Sequence, residues 1–219
     1  MKRFECLKII ASHLQGDELA VVALGGMIDE WHHLRPSNKN LFLKIMGSIT
    51  PVAFGLADSL PHRRVVSLDT DGSMLLNMGI LCTIGNVQPK NLITIIMDNE
   101  CYEVIGGPPT HTAYHVDLAA MGRGAGIERA VAVNNLEDFE KALTEAYHTE
   151  GPSFIVAKLE RGTEIFPEEE RKRTDGLEDK YNFVRYIEDS EKVTIIPREV
   201  KSLRKVEGPV KWNEDPVID

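Results

Sequence analysis

The order of apolar and polar residues alternates between a helical and an extended period. Residues 4–14 place Phe4, Leu7, Ile10 and Leu14 at helical spacing until Gly16-Asp17 breaks the pattern. The continuous apolar run over 19–24 predicts a strand buried on both faces, ending at Gly25-Gly26. A polar stretch through Arg35-Pro36-Ser37-Asn38 reads as loop, and a second apolar run over 41–46 ends at Gly47-Ser48. Residues 51–60 predict a helix with Pro51 in its first turn, where the missing N–H costs little. Strands follow at 65–68, 92–97, 130–133 and 154–159, with helices at 73–84, 116–126 and 136–147 between them and a loop over 98–114. Strands alternating with helices imply right-handed crossovers. The expected fold is α/β, a mainly parallel six-stranded sheet with helices on both faces.

The pattern changes after residue 160. The charge run over 168–173 reads as a solvated linker. Beyond it Asp175, with Glu178 three residues on, is placed to cap a helix whose apolar face carries Leu177, Tyr181, Val184 and Ile187. The expected organisation is one α/β domain over 1–160 and a helical or irregular extension over 161–219, packed on its own domain or on a partner subunit.

Composition narrows the function. With 219 residues the chain has room for one sizeable domain plus an extension, and 42% apolar against 27% charged residues is ordinary for a soluble protein. A net charge of −9 argues against nucleic acid as a partner, yet leaves open a local anion site built from a metal ion and backbone N–H groups. Cys6, Cys82 and Cys101 are too scattered for a disulfide framework or a zinc site. No apolar run approaches the roughly 20 residues that span a bilayer, and the N-terminus makes a poor signal peptide. The expectation is a cytoplasmic protein with no membrane partner.

The chemistry gathers where strands end, since ligands of open parallel sheets bind at the carboxyl ends of strands. The strand at 65–68 runs into Asp69-Thr70-Asp71-Gly72-Ser73, and the strand at 92–97 into Asp98-Asn99-Glu100-Cys101-Tyr102. One helical crossover joins them, so Asp71 and Asn99 are expected side by side. A carboxylate, an amide oxygen and a nearby carbonyl are hard ligands that suit Mg²⁺ carrying a diphosphate. Gly72 lets such an anion approach the backbone, and a helix beginning near Ser73 presents free N–H groups to it.

Asp71-Gly72-Ser73 through Asp98-Asn99 resembles the metal motif of thiamine diphosphate-dependent enzymes, with Thr70 in place of the usual first Gly and Asp98 in place of the first Asn. The resemblance implies thiamine diphosphate and Mg²⁺ as cofactors, with Asp71, the Asn99 side chain and the Cys101 backbone carbonyl as metal ligands. A β-branched residue at Thr70 fits poorly wherever that Gly needs a left-handed backbone. Gly47-Ser48-Ile49 resembles the element that grips the aminopyrimidine. By that likeness the Gly47 carbonyl accepts from the ring's amino group and Ile49 is the wedge that bends the cofactor, with Thr50 standing where many relatives have Gly. Gly25-Gly26-Met27 matches the position of a third contacting element, and Tyr102 falls beside the metal motif.

The stretches 106–112 and 116–120 resemble the sulfopyruvate and phosphonopyruvate decarboxylase branch. That likeness implies decarboxylation of a small anionic 2-oxo acid. It also implies a separate α-type subunit that supplies the pyrimidine domain with its activating glutamate, and homodimer contacts within the hetero-oligomer. A carboligase subunit of the acetolactate-synthase kind and a non-catalytic cofactor-binding subunit stay open as alternatives. His111 is the candidate catalytic side chain, with His115, His32 and His33 as further loop histidines. Cys101 is not read as a nucleophile, because the cofactor carries its own.

Overall fold

The apolar runs all become strands, joined by helices that return the chain to the same edge of the sheet. The computed structural model describes residues 1–172 and 176–197. In chain order the elements are α1 (Arg3–His13), β1 (Leu19–Ala23), α2 (Gly26–Leu34), β2 (Asn40–Leu43), α3 (Ile49–Ser59), β3 (Val65–Thr70), α4 (Asp71–Leu76), α5 (Gly79–Val87), β4 (Leu92–Asp98), α6 (Leu118–Gly124), β5 (Arg129–Val133), α7 (Leu136–His148), β6 (Ser153–Lys158) and α8 (Gly176–Glu191). The sheet runs β2-β1-β3-β4-β6-β5 with every neighbouring pair parallel. Helices α1, α2 and α7 pack together on one face, and α3, α5 and α6 on the other. With both faces covered, every residue of β1 and β4 is buried, as their mostly apolar sequences require. The core is centred on Trp31, Phe139 and Phe154. Because the strands are parallel, all their carboxyl ends lie along one edge, where the chemistry-bearing loops meet.

Three elements differ from expectation. Residues Gly26–Leu34 form a helix, so His32 and His33 are not loop residues. Its buried face carries Met27, Glu30 and Trp31, and a carboxylate in the middle of that stripe hides it from a hydrophobic count. Glu30 is buried because Arg3 of α1 grips both its oxygens, Nε at 2.6 Å and Nη2 at 3.3 Å. The helix expected over 73–84 is broken into α4 and α5 at Asn77, whose side chain donates to the Gly47 carbonyl at 3.0 Å. Asparagine competes in this way with the helical backbone.

The third difference is the face of α8. It packs back along β2, so the extension covers its own domain. The buried side chains are Asp179, Phe183, Ile187 and Glu188, while Leu177 and Tyr181 of the expected stripe are exposed. The carboxylates turn inward because each finds a partner: Lys172 Nζ lies 2.8 Å from Asp179, and the Ile195 and Ile196 N–H groups donate to Glu188 at 2.7 Å. Glu191 closes the helix onto Arg63 at 2.7 Å. The cap expected at Asp175 lies outside the described residues, while Glu168, Glu169 and Glu170 of the charge run are exposed. Among the described residues no helix is long and apolar enough to cross a membrane.

Phe183→Ala is expected to cost about 3 kcal/mol in urea unfolding, the usual loss for a large side chain removed from a packed site. A loss below about 1 kcal/mol would show that α8 contributes no real burial.

Candidate active site at the tips of β3 and β4

Strands β3 and β4 are adjacent and in register through Thr70 and Met97, which brings Asp71 level with Asp98 and sets Asn99 just beyond. Thr70 is extended, with φ −121° and ψ 158°, and its hydroxyl accepts from the Ser73 N–H at 3.4 Å. The turn therefore needs no left-handed residue here. Threonine fits by capping α4 instead.

Asp71 and Asp98 are both buried, and two hydroxyls from the returning loop lie between them. Thr110 donates to Asp71 Oδ2 at 2.6 Å, and Thr112 donates to Asp98 Oδ1 at 2.7 Å. Asp98 also has a cation, Lys158 Nζ at 2.8 Å. Among the described residues Asp71 has no such partner, and its Oδ1 is buried without a hydrogen bond. Burial, reinforced by the neighbouring Asp98 charge, pushes Asp71 up from 3.8 to about 6 against the Thr110 hydrogen bond. A buried carboxylate oxygen without a donor is what a bound cation would satisfy. Asn99 follows on the neighbouring strand tip, with its Oδ1 accepting from the Cys101 N–H at 3.3 Å. One carboxylate with neutral amide and carbonyl oxygens is a hard donor set that fits Mg²⁺. Among the described residues no three His, Cys, Asp or Glu side chains gather into a metal cluster.

Of the residues expected at the cofactor, Gly25, Gly26, Gly72, Asn99, Cys101 and Tyr102 line one cavity of about 130 Å³. A side chain at Gly72 would put its Cβ 2.4 Å from the Tyr102 ring, so only glycine permits this approach. Cys101 is buried, which pushes its thiol up and keeps it protonated. Gly47 joins the site through its N–H, which donates to Ser73 Oγ at 2.9 Å. Ser48 stands before α3 with its hydroxyl on the Ile45 carbonyl, and Ile49 is fully buried as the first residue of that helix. Met27 is buried in the core and is not part of the cavity wall.

The histidines stand apart. His111 and His115 are exposed, whereas Thr110 and Thr112 on either side of His111 are buried against the carboxylates. His33 stacks on Phe166 with ring centres 4.5 Å apart. His32 packs edge-on to Phe42, and burial together with Lys172 pushes its imidazole down.

Sequence reasoning missed several side chains. Thr110 and Thr112 are brought to Asp71 by a hairpin-like return in which Cys101 bridges Pro109. Asp69 is fully buried at the end of β3 and accepts from the Thr50 hydroxyl at 2.7 Å and the Thr50 N–H at 3.3 Å. That bond fixes the first turn of α3 against the strand and explains a threonine at this position. Burial raises Asp69 against these bonds. Arg3 and Glu103 also line the cavity. Asp69 sits next to a recognised motif, and Thr110 and Thr112 fall within the family-like stretch 106–112; Arg3 and Glu103 carried no such signal.

Asp71 keeps its proton up to about pH 6 in the fold, whereas an unfolded chain releases it near 3.8. Its ionisation therefore destabilises the metal-free fold increasingly between those values, and by a constant amount above them. Asp71→Asn is expected to stabilise the metal-free protein at pH 7.5 by up to about 3 kcal/mol, a gain that vanishes near pH 4. Urea unfolding at the two pH values checks this, and an equal effect at both would contradict the assignment.

Residues 30–157 match the family model described as the thiamine pyrophosphate enzyme, C-terminal TPP binding domain. The sulfopyruvate decarboxylase subunit beta of Methanocaldococcus jannaschii is 33% identical over 158 residues, covering 72% of this chain and 83% of that protein. The phosphonopyruvate decarboxylase of Streptomyces viridochromogenes is 31% identical over 162 residues, 74% of this chain but 40% of that protein. The crystal structure of benzoylformate decarboxylase from Polynucleobacter necessarius superposes with a TM-score of 0.64 at 18% identity, over 76% of this chain and 34% of that one. The last likeness bears on the fold alone, and this chain spans about a third of that structure's length. The family model, the curated relatives and the cavity at the tips of β3 and β4 agree: the chain belongs to the thiamine pyrophosphate enzyme family, as its C-terminal TPP-binding domain.

Proposed function

We propose that this chain is the diphosphate-binding subunit of a thiamine diphosphate- and Mg²⁺-dependent decarboxylase acting on a small anionic 2-oxo acid, sulfopyruvate or phosphonopyruvate in type. The observation that carries the reading is Asp71 Oδ1, buried without a donor beside Asn99. In this reading Asp71, Asn99 and the Cys101 carbonyl hold the metal that neutralises the diphosphate. Bound there, the cofactor supplies a nucleophilic carbon and an electron sink for loss of CO₂. The chain's own part is to bind and to exclude water. Thr110 keeps Asp71 oriented by the bond to its other oxygen, and Tyr102 lies over Gly72 as a wall of the cavity. Gly47 and Ile49 mark the end where the pyrimidine is expected.

A partner subunit is supported in two ways. Relatives that align over most of their own length are named as beta subunits, and the phosphonopyruvate decarboxylase, whose name carries no subunit, is matched over less than half of its length. At the cavity wall Val104 and Ile105 are each more than 60% exposed. Large apolar side chains left open beside a site suit burial by a second chain better than contact with water.

The test combines the purified chain with the pyrimidine-domain subunit and offers sulfopyruvate and phosphonopyruvate in turn. Release of CO₂ and aldehyde is expected from the pair, at least about 100-fold slower from this chain alone, and lost on removal of Mg²⁺ by a chelator. Robust turnover by the isolated chain would overturn the split arrangement. A carboligation product would reassign the reaction to the acetolactate-synthase kind, and no product with either acid would leave a non-catalytic subunit.

A further inference from the structure

We propose that Glu103, held in place by Arg3 and Thr163, fixes the side-chain amide of Asn99 with its oxygen turned to the metal position. The affinity of the site for its divalent ion is then set by residues outside the metal motif. This rests on reading Asp71 and Asn99 as metal ligands.

An asparagine amide has two ends of nearly the same shape, and only the oxygen end binds a cation. A flipped Asn99 would present N–H groups to the ion. Two contacts decide between the orientations. The Cys101 N–H donates to Asn99 Oδ1 at 3.3 Å, and Asn99 Nδ2 donates to Glu103 Oε2 at 3.3 Å. A carboxylate offers acceptors only, so Glu103 selects the nitrogen end and leaves the oxygen on the opposite side.

Glu103 lies on a short 3-10 turn and is 31% exposed, so it needs a tether to hold one position. Three chain segments distant in sequence provide it. Arg3 Nη1 lies 3.4 Å from Glu103 Oε2, and the Thr163 hydroxyl lies 3.4 Å from the same oxygen. Arg3 Nη2 in turn donates to Thr163 Oγ1 at 2.8 Å. Arg3 is anchored by buried Glu30. Thr163 is seated against Gly26, where an added Cβ would stand 2.0 Å from the threonine methyl carbon. The contacts to Glu103 are long beside the 2.6 Å Arg3–Glu30 bond. They suit a group that biases an orientation better than one that holds the fold together. Partners behind a metal ligand commonly change affinity by about 10- to 100-fold when removed.

Glu103→Met tests the idea, because methionine keeps the length of the side chain but offers Asn99 Nδ2 no oxygen acceptor, so the nitrogen end is no longer selected. Glutamine would not serve, since Arg3, Thr163 and Asn99 all meet Glu103 Oε2 and an amide oxygen there would still accept from Asn99. Glu103→Met is preferred to Arg3→Met, which would strand the buried Glu30 charge. Mn²⁺ is titrated into the full chain assembled with its pyrimidine-domain subunit and thiamine diphosphate, and free Mn²⁺ is counted by electron paramagnetic resonance. The Mn²⁺ dissociation constant is expected to rise about tenfold or more in Glu103→Met, and less in Thr163→Val. The unfolding temperature of metal-free Glu103→Met should stay within about 2 °C of wild type. Unchanged Mn²⁺ affinity, or a loss matched by a fall in stability, would overturn the positioning role. Asp71→Asn separates this from the underlying reading: if that variant abolishes binding while Glu103→Met does not alter it, only the role of Glu103 fails. If wild type takes up no Mn²⁺, or Asp71→Asn leaves binding untouched, the metal assignment fails and this inference with it.

Discussion

A parallel sheet collects its strand ends at one edge, and in this chain two adjacent ends each deliver a carboxylate into the interior. Burying two such groups side by side is costly unless each finds hydrogen bonds and an opposite charge. Asp98 has both, through Thr112 and Lys158. Asp71 has the hydroxyl of Thr110 but no cation, and one oxygen is left bare. Much of the surrounding geometry answers to this constraint. The loop after β4 folds back through the Cys101–Pro109 bridge to bring both threonines between the carboxylates, and Tyr102 of that loop lies on Gly72.

The supports of this edge are drawn from the whole length of the chain. Asp69 ties the start of α3 to β3, and Ser73 ties the loop at Gly47 to α4. Arg3 of α1 meets Glu30 of α2, Glu103 of the loop after β4 and Thr163 of the extension in one polar cluster beside the cavity. The extension is thus bound to the site at Thr163 and to the edge of the sheet through α8, where Phe183 and Ile187 are buried. The extension after residue 160 contributes Thr163 to the polar cluster behind Asn99.

Family membership and geometry speak to different questions. The family model and the beta-subunit relatives say what kind of domain this is. The bare oxygen on Asp71 is one that a cation would satisfy, and the exposed side chains of Val104 and Ile105 stand at the cavity wall.

Runs of Val, Ile and Leu between Gly-rich turns determined the six parallel strands and most helices, because burial on both faces of a sheet demands continuous apolar sequence. Strand adjacency through a single crossover likewise put Asp71 and Asn99 on neighbouring tips. What stayed hidden shares one physical cause: a polar side chain whose partner is remote in sequence. Glu30 masked α2 because Arg3 neutralises it, and Asp179 and Glu188 rotated the buried face of α8 because they too are paired. Asn77 split a helix by reaching the Gly47 carbonyl. Only the folded loop decides that Thr110 and Thr112 are buried against the carboxylates while His111 between them is exposed. Apolar periodicity is local and can be read along a chain; the pairing of polar groups is long-range and exists only once the chain has folded.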